Sequence, residues 1–138
     1  MRRKSVLLVE DEQSIRESLV ELFESDGVDV ATATTLAEAQ QQLRDRTVDL
    51  VITDLQLGTR RDGGLQVTGA AGMLASEVVV VVLTAYPDDS NRLAARRLGA
   101  MHFLEKPVDL EIIARIAAGH GIPTALSPDP FRSPSVIQ

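Results

Sequence analysis

The 138-residue sequence has no cysteine, which excludes a disulfide framework, a thiolate metal centre and a cysteine nucleophile together. It has no tryptophan and one tyrosine, so intrinsic fluorescence would report Tyr86 alone. Basic charge is also scarce. Lys and Arg number 14 against 20 Asp and Glu, a net charge of −6. That balance argues against non-specific nucleic-acid binding, which needs basic surface to displace counterions. Long apolar runs are missing as well. The start Met1-Arg2-Arg3-Lys4 is basic, but the run Val6-Leu7-Leu8-Val9 behind it stops at Glu10. A secretory core needs about 7–15 apolar residues and a membrane span about 20. The expectation is a soluble, cytoplasmic protein with no direct nucleic-acid or membrane partner. What remains is ordinary globular usage, 44% hydrophobic and 25% charged, at a length that suits one compact domain.

Short Val-rich runs alternate with segments of helical period. Ser5–Val9, Val28–Ala33, Val48–Thr53, Val78–Leu83 and Met101–Leu104 are predicted strands. Val78 to Val82 is an unbroken run of valine, the pattern of a central parallel strand buried on both faces. Helices are predicted over Ser14–Glu24, Thr35–Arg44, Leu65–Leu74, Asp89–Leu98 and Asp109–Ala118. Ser14 with Glu17 and Thr35 with Glu38 have capping-box spacing, and Asp109 is placed to cap the last helix. Gly69 and Gly72 weaken the third helix by about 1 kcal/mol each relative to Ala. Strand–helix alternation repeated in this way implies a parallel sheet covered on both faces, an α/β three-layer sandwich. The pattern does not set the strand order. After Gly121 the composition turns to Pro and Ser, so residues 1–121 read as the domain and 122–138 as a tail or linker.

In such sheets ligands sit beyond the carboxyl ends of the strands. Those ends carry Glu10-Asp11-Glu12, Asp54, Thr84 and Lys106-Pro107. Singly, each has an ordinary structural role: first-turn acid, turn former, strand-end hydroxyl, surface lysine. Together they do not. Carboxylates of Glu10, Asp11 and Asp54 converging on one crevice would repel one another without a cation, by roughly 4 kcal/mol per pair at 4 Å and an effective dielectric near 20. Hard oxygen donors favour Mg²⁺. An ammonium and a hydroxyl opposite suit the oxygens of a phosphoryl group.

The segments VLLVEDE, DLVITDLQLG, VVLTAY and FLEKPVD, in order from about Lys4 to Gly119, resemble the receiver domain of two-component response regulators. The intervals of 43, 30 and 22 residues between Asp11, Asp54, Thr84 and Lys106 fit it too. The resemblance implies a flavodoxin-like five-stranded sheet of order 2-1-3-4-5, in which ligands likewise sit beyond the strand ends. It implies that Asp54 accepts a phosphoryl group from a histidine kinase or phosphotransfer protein. Asp11, Glu10, Asp54 and the Gln56 carbonyl would hold Mg²⁺, while Lys106 and Thr84 would bind phosphoryl oxygens. Phe103 would be the aromatic switch coupled to Thr84, and Lys106–Pro107 a cis bond. The readout surface would comprise the fourth helix, fifth strand and fifth helix, with Arg92, Arg96, Met101 and Arg115. A downstream target or an output domain is implied as partner, and a second copy of the chain is among the partners allowed. Such a chain is a signalling phosphoacceptor rather than an enzyme with turnover. It either acts alone through protein contacts or is a fragment that ends in a linker.

Gly58 departs from the proline common in the family, and Thr59-Arg60-Arg61 lengthens the loop beside the metal site by about a residue. Phe103 has no hydroxyl for the hydrogen bond that tyrosine makes in relatives. A haloacid-dehalogenase-like phosphatase would need an acid two residues after Asp54, where Gln56 stands. A nucleotide-binding module would need a Gly-rich turn at Glu10–Gln13. The remaining alternative is a receiver-like docking module that works without phosphorylation. His102 and His120 lack a third ligand, Met73 and Met101 are expected to pack, and Arg60-Arg61 reads as a solvated loop.

Overall fold

The computed structural model describes residues 3–74 and 77–126. Strands and helices alternate without exception: β1 (Lys4–Val9), α1 (Gln13–Phe23), β2 (Val28–Ala33), α2 (Leu36–Asp45), β3 (Leu50–Asp54), α3 (Gly63–Leu74), β4 (Val79–Thr84), α4 (Asp89–Arg97), β5 (His102–Glu105) and α5 (Leu110–Gly119). The strands form one sheet in the order β2-β1-β3-β4-β5, with every neighbouring pair parallel. This is the flavodoxin-like order that the resemblance implies.

Because successive strand residues face opposite sides, each central strand feeds two cores. Leu7 and Val9, Val51, and Val80 and Val82 pack with Leu36, Ala39, Val67 and Ala95, under α2, α3 and α4. Val6 and Leu8, Leu50 and Ile52, and Val79, Val81 and Leu83 pack with Leu19, Phe23, Ile113 and Ala117, under α1 and α5. β4 is buried at every position, as the valine run requires.

The caps hold in part. Thr35 accepts the Glu38 N–H at 3.1 Å, and Asp109 accepts from Glu111 and Ile112. The Ser14–Glu17 box does not form. α1 starts one residue earlier, behind Glu12, so Ser14 already lies in the first turn and its hydroxyl bonds Glu12 instead. The side chain that caps α4 is Asp88, which accepts the Asn91 N–H at 2.8 Å. Met73 and Met101, expected to pack, are 89% and 59% exposed. Packing also continues past Gly121: Ile122 and Thr124 are buried, and the Ala125 N–H donates to the Leu22 carbonyl at 2.8 Å. Residues 127–138 of the expected tail lie outside the described residues.

α3 begins two residues before its predicted start, and glycine is the reason. A Cβ on Gly64 would overlap the Asp54 carbonyl oxygen and stand 2.7 Å from Leu55 Cα. The missing side chain lets the helix start press against the end of β3, where the Gly64 N–H donates to the Leu55 carbonyl at 2.8 Å. Since the clash is with backbone, Gly64→Ala should destabilise the fold by about 1–3 kcal/mol, the range for overpacking. Urea unfolding would measure it; an unchanged midpoint would mean that the contact is not tight.

Candidate functional site

The sheet ladders carry polar residues to one edge. Asp54 is the last rung of β3, opposite Leu83, and Thr84 is the last rung of β4, opposite Glu105. Both strands therefore run one residue further than their apolar runs, because neighbouring rungs still supply main-chain partners. The Lys106 N–H donates to the Thr84 carbonyl at 2.7 Å, which returns the chain to the same edge just after β5. The Lys106–Pro107 peptide is cis. Beyond β1, the Glu10 N–H donates to the Ala33 carbonyl at 3.0 Å.

Side chains converge there. Carboxylate oxygens of Glu10, Asp11 and Asp54 lie within 4.8 Å of one another, the one such group of potential metal ligands among the described residues. The Lys106 ammonium donates to Glu10 Oε1 at 3.1 Å and to Asp54 Oδ2 at 3.1 Å. Glu10 is 1% exposed and Asp54 8%. At an effective dielectric near 20, each carboxylate pair at this spacing repels by roughly 3 kcal/mol.

The titration behaviour follows from burial and this crowding. Burial first, then the neighbouring Asp54 charge, pushes Glu10 up from 4.5 to about 7 against the pull of Lys106. Asp54 is also raised, chiefly by burial, with Lys106 opposing. Burial alone would lower Lys106, but its hydrogen bonds and attraction to Glu10 and Asp54 raise it. One ammonium thus holds two desolvated carboxylates that still favour protons. A set of hard oxygens with surplus negative charge fits a divalent cation such as Mg²⁺.

A cavity of about 510 Å³ opens above this cluster. Asp11, Asp54, Gln56, Thr84 and Lys106 line it, together with Gly58, Arg61, Tyr86 and Asn91, which the motifs did not single out as site residues. The Thr84 hydroxyl accepts the Tyr86 N–H at 3.0 Å. The exposed Gln56 side chain donates to the Gly58 carbonyl at 3.2 Å.

The departure at Gly58 has a structural reason. Its φ is +60°, where proline cannot go, and its N–H donates to Asp11 Oδ2 at 2.8 Å, which proline could not supply. Leu57 and Arg60 exchange two main-chain bonds of 2.9 Å around it, a two-residue hairpin with glycine at the first central position.

Phe103 is half-buried against the α2–α4 core, and the Arg92 guanidinium lies 5.3 Å above its ring. Arg92, Arg96, Met101 and Arg115 are all exposed on α4, β5 and α5 or beside them. His102 and His120 join no cluster of potential metal ligands among the described residues. No helix among them is long and apolar enough to cross a membrane.

The sequence model of the family described as Response regulator receiver domain matches residues 6–117. The KDP operon transcriptional regulatory protein KdpE of Escherichia coli (strain K12) is 38% identical over 132 residues, covering 92% of this chain and 56% of that protein. The chain therefore spans little more than half the length of this relative.

Among solved structures, a response regulator protein from Burkholderia pseudomallei with a phosphorylated aspartic acid, calcium ion and citrate matches at TM-score 0.74. It is 26% identical, over 83% of this chain and 65% of that one. The beryllofluoride-activated NtrC4 receiver domain dimer matches at TM-score 0.73 and 29% identity, over 86% and 95% of the two chains.

Proposed function

The chain belongs to the response regulator receiver domain family, and from that premise we propose that Asp54 is its phosphoacceptor in a two-component phosphorelay. The observation that carries this reading is the meeting of Glu10, Asp11, Asp54 and Lys106 beside Thr84, at the mouth of one cavity.

In this reading an Asp54 carboxylate oxygen attacks the phosphorus of a donor phosphohistidine. The phosphorus–nitrogen bond breaks, its electron pair returns to the imidazole, and an acyl phosphate forms on Asp54. Glu10, Asp11, Asp54 and the Gln56 carbonyl would hold Mg²⁺, which offsets the gathered negative charge and polarises a phosphoryl oxygen when bound. Lys106 leaves its contact with Asp54 Oδ2 to bind a phosphoryl oxygen. The Thr84 hydroxyl gives up the Tyr86 N–H and turns to another. Its inward movement vacates space that Phe103 fills, and the new packing alters the α4–β5–α5 surface. The charge driving this change is about −1.5 to −2, with three acceptor oxygens, placed beside the Thr84 hydroxyl.

The protein is then a signalling domain that assists its own phosphorylation and dephosphorylation. A sensor histidine kinase or phosphotransfer protein supplies the phosphoryl group, and a downstream target or an output domain reads the result. Residues 1–121 form the receiver unit, with Ile122 to Ala125 seated on it and a Pro/Ser-rich segment beyond. The setting is the cytoplasm.

Intact-mass measurement after incubation with acetyl phosphate and Mg²⁺ tests the acceptor. The wild type should gain one phosphoryl group and Asp54→Asn none. Equal uptake by both would remove Asp54 from the role.

A further inference from the structure

The acceptor cavity carries a cation that the phosphoacceptor machinery above does not use. Asp11, Asp54 and Asp88 line the cavity, and of its two basic residues Lys106 is already held by Glu10 and Asp54, at 3.1 Å each. The other is Arg61, which is exposed and whose side chain makes no hydrogen bond or ion pair with another described residue. Its placement is not loose. Arg60, just before it, is locked into the Leu57–Arg60 hairpin, and the Gly63 N–H reaches back to the Arg60 carbonyl at 3.4 Å as α3 begins. The Gly58 N–H ties the same hairpin to Asp11 at 2.8 Å. Arg61 therefore sits on a short bridge between a closed turn and a helix start, at the rim of the cavity.

We propose that Arg61 recruits the phosphoryl donor, its guanidinium drawing the donor's phosphate into the cavity before transfer to Asp54. The proposal rests on Asp54 being the acceptor and adds a donor-selecting group to that site. An incoming phosphate meets the carboxylates of Asp11, Asp54 and Asp88, while the ammonium of Lys106 is held by Glu10 and Asp54. A free guanidinium at the rim places positive charge where the donor arrives, and its planar fork matches two phosphate oxygens. Charge that lines a cleft in this way raises the rate of encounter, by tenfold or more in favourable cases. In the transfer itself, an Asp54 oxygen bonds to phosphorus. The bond to the leaving atom breaks, and its electron pair goes to a carboxylate oxygen of an acyl phosphate or to the imidazole nitrogen of a phosphohistidine. Arg61 exchanges no proton or bond in the step. Its contribution is to capture, so it belongs in KM rather than kcat.

Phosphorylation kinetics with acetyl phosphate at saturating Mg²⁺ test this on the full chain. Arg61→Ala should raise KM about tenfold with kcat nearly unchanged, and the gap should narrow as salt screens the charge. Arg61→Lys should recover part of the loss, because it keeps the charge without the fork. Arg60→Ala removes the same charge one residue away, from a side chain outside the cavity lining, and should match the wild type. An unchanged KM in Arg61→Ala, an equal loss in Arg60→Ala, or a fall in kcat alone overturns the proposal while leaving the acceptor reading intact. A wild type that takes up no phosphate, or an Asp54→Asn variant that takes it up equally, brings down both.

Discussion

Lys106→Ala, unfolded in urea with a chelator present, is expected to lose about 3 kcal/mol at pH 8 and much less at pH 5. The loss at pH 8 follows from leaving two desolvated carboxylates without their cation, a situation that costs about 3–5 kcal/mol when a buried pair is broken from one side. Lys106 lies between Glu10 and Asp54 at 3.1 Å from each, and its side chain is 14% exposed, so solvent screens the interaction little. The difference between the two pH values follows from the escape route. Both carboxylates are already raised in the folded chain, and without Lys106 they rise further and take up protons. At pH 5 Glu10, raised to about 7, is largely neutral and needs no partner, and Asp54 is shifted in the same direction. The same variant should be phosphorylated roughly 100-fold or more slowly, since it lacks a charge aimed at the transferring group. Equal stability losses at both pH values would mean that Lys106 contributes packing rather than charge.

Mg²⁺ affinity is expected to climb steeply with pH below 7 and to level off above it. Glu10 is raised from 4.5 to about 7 by burial and by Asp54. A group raised in the fold contributes stability that is complete below its unfolded value and lost as pH rises through the folded one. The metal-free fold should therefore weaken between about pH 4.5 and 7. A divalent ion needs the deprotonated form, so below pH 7 its binding displaces a proton, and affinity should gain up to about tenfold per pH unit. Calorimetry at pH 5.5, 6.5 and 8 in buffers of different ionisation enthalpy would count the protons released. Glu10→Gln should bind more weakly and lose that pH dependence. A wild-type affinity flat from pH 5.5 to 8 would contradict the assignment of Glu10 to the metal site.

Much of this was legible from the residues. Three predicted strands end directly before the group that matters, Val9 before Glu10, Thr53 before Asp54 and Leu83 before Thr84, and Lys106 follows the fifth by two residues. A parallel sheet gathers such ends on one edge, so alternation alone told where to look. The strand order came only with the family resemblance, because alternation sets direction and not neighbours. Gly64 stayed hidden, since what demands it is the backbone at Asp54 and Leu55, outside its own helix and nine or ten residues before it. The Ser14–Glu17 box failed because Ser14 matches the spacing but lies inside the helix. Arg61 was invisible for a related reason. Two arginines stand side by side, and only the hairpin closed by Leu57 and Arg60 decides which one meets the cavity.

The most direct test of the central claim is chemical mapping of the phosphorylated position. Borohydride reduces an acyl phosphate to an alcohol, so protein phosphorylated in Mg²⁺ and then reduced should yield homoserine at position 54 on peptide sequencing. Homoserine there, and aspartate at position 11, is the predicted result. Intact aspartate at position 54, with phosphate recovered on a serine, a threonine or another carboxylate, would contradict the account.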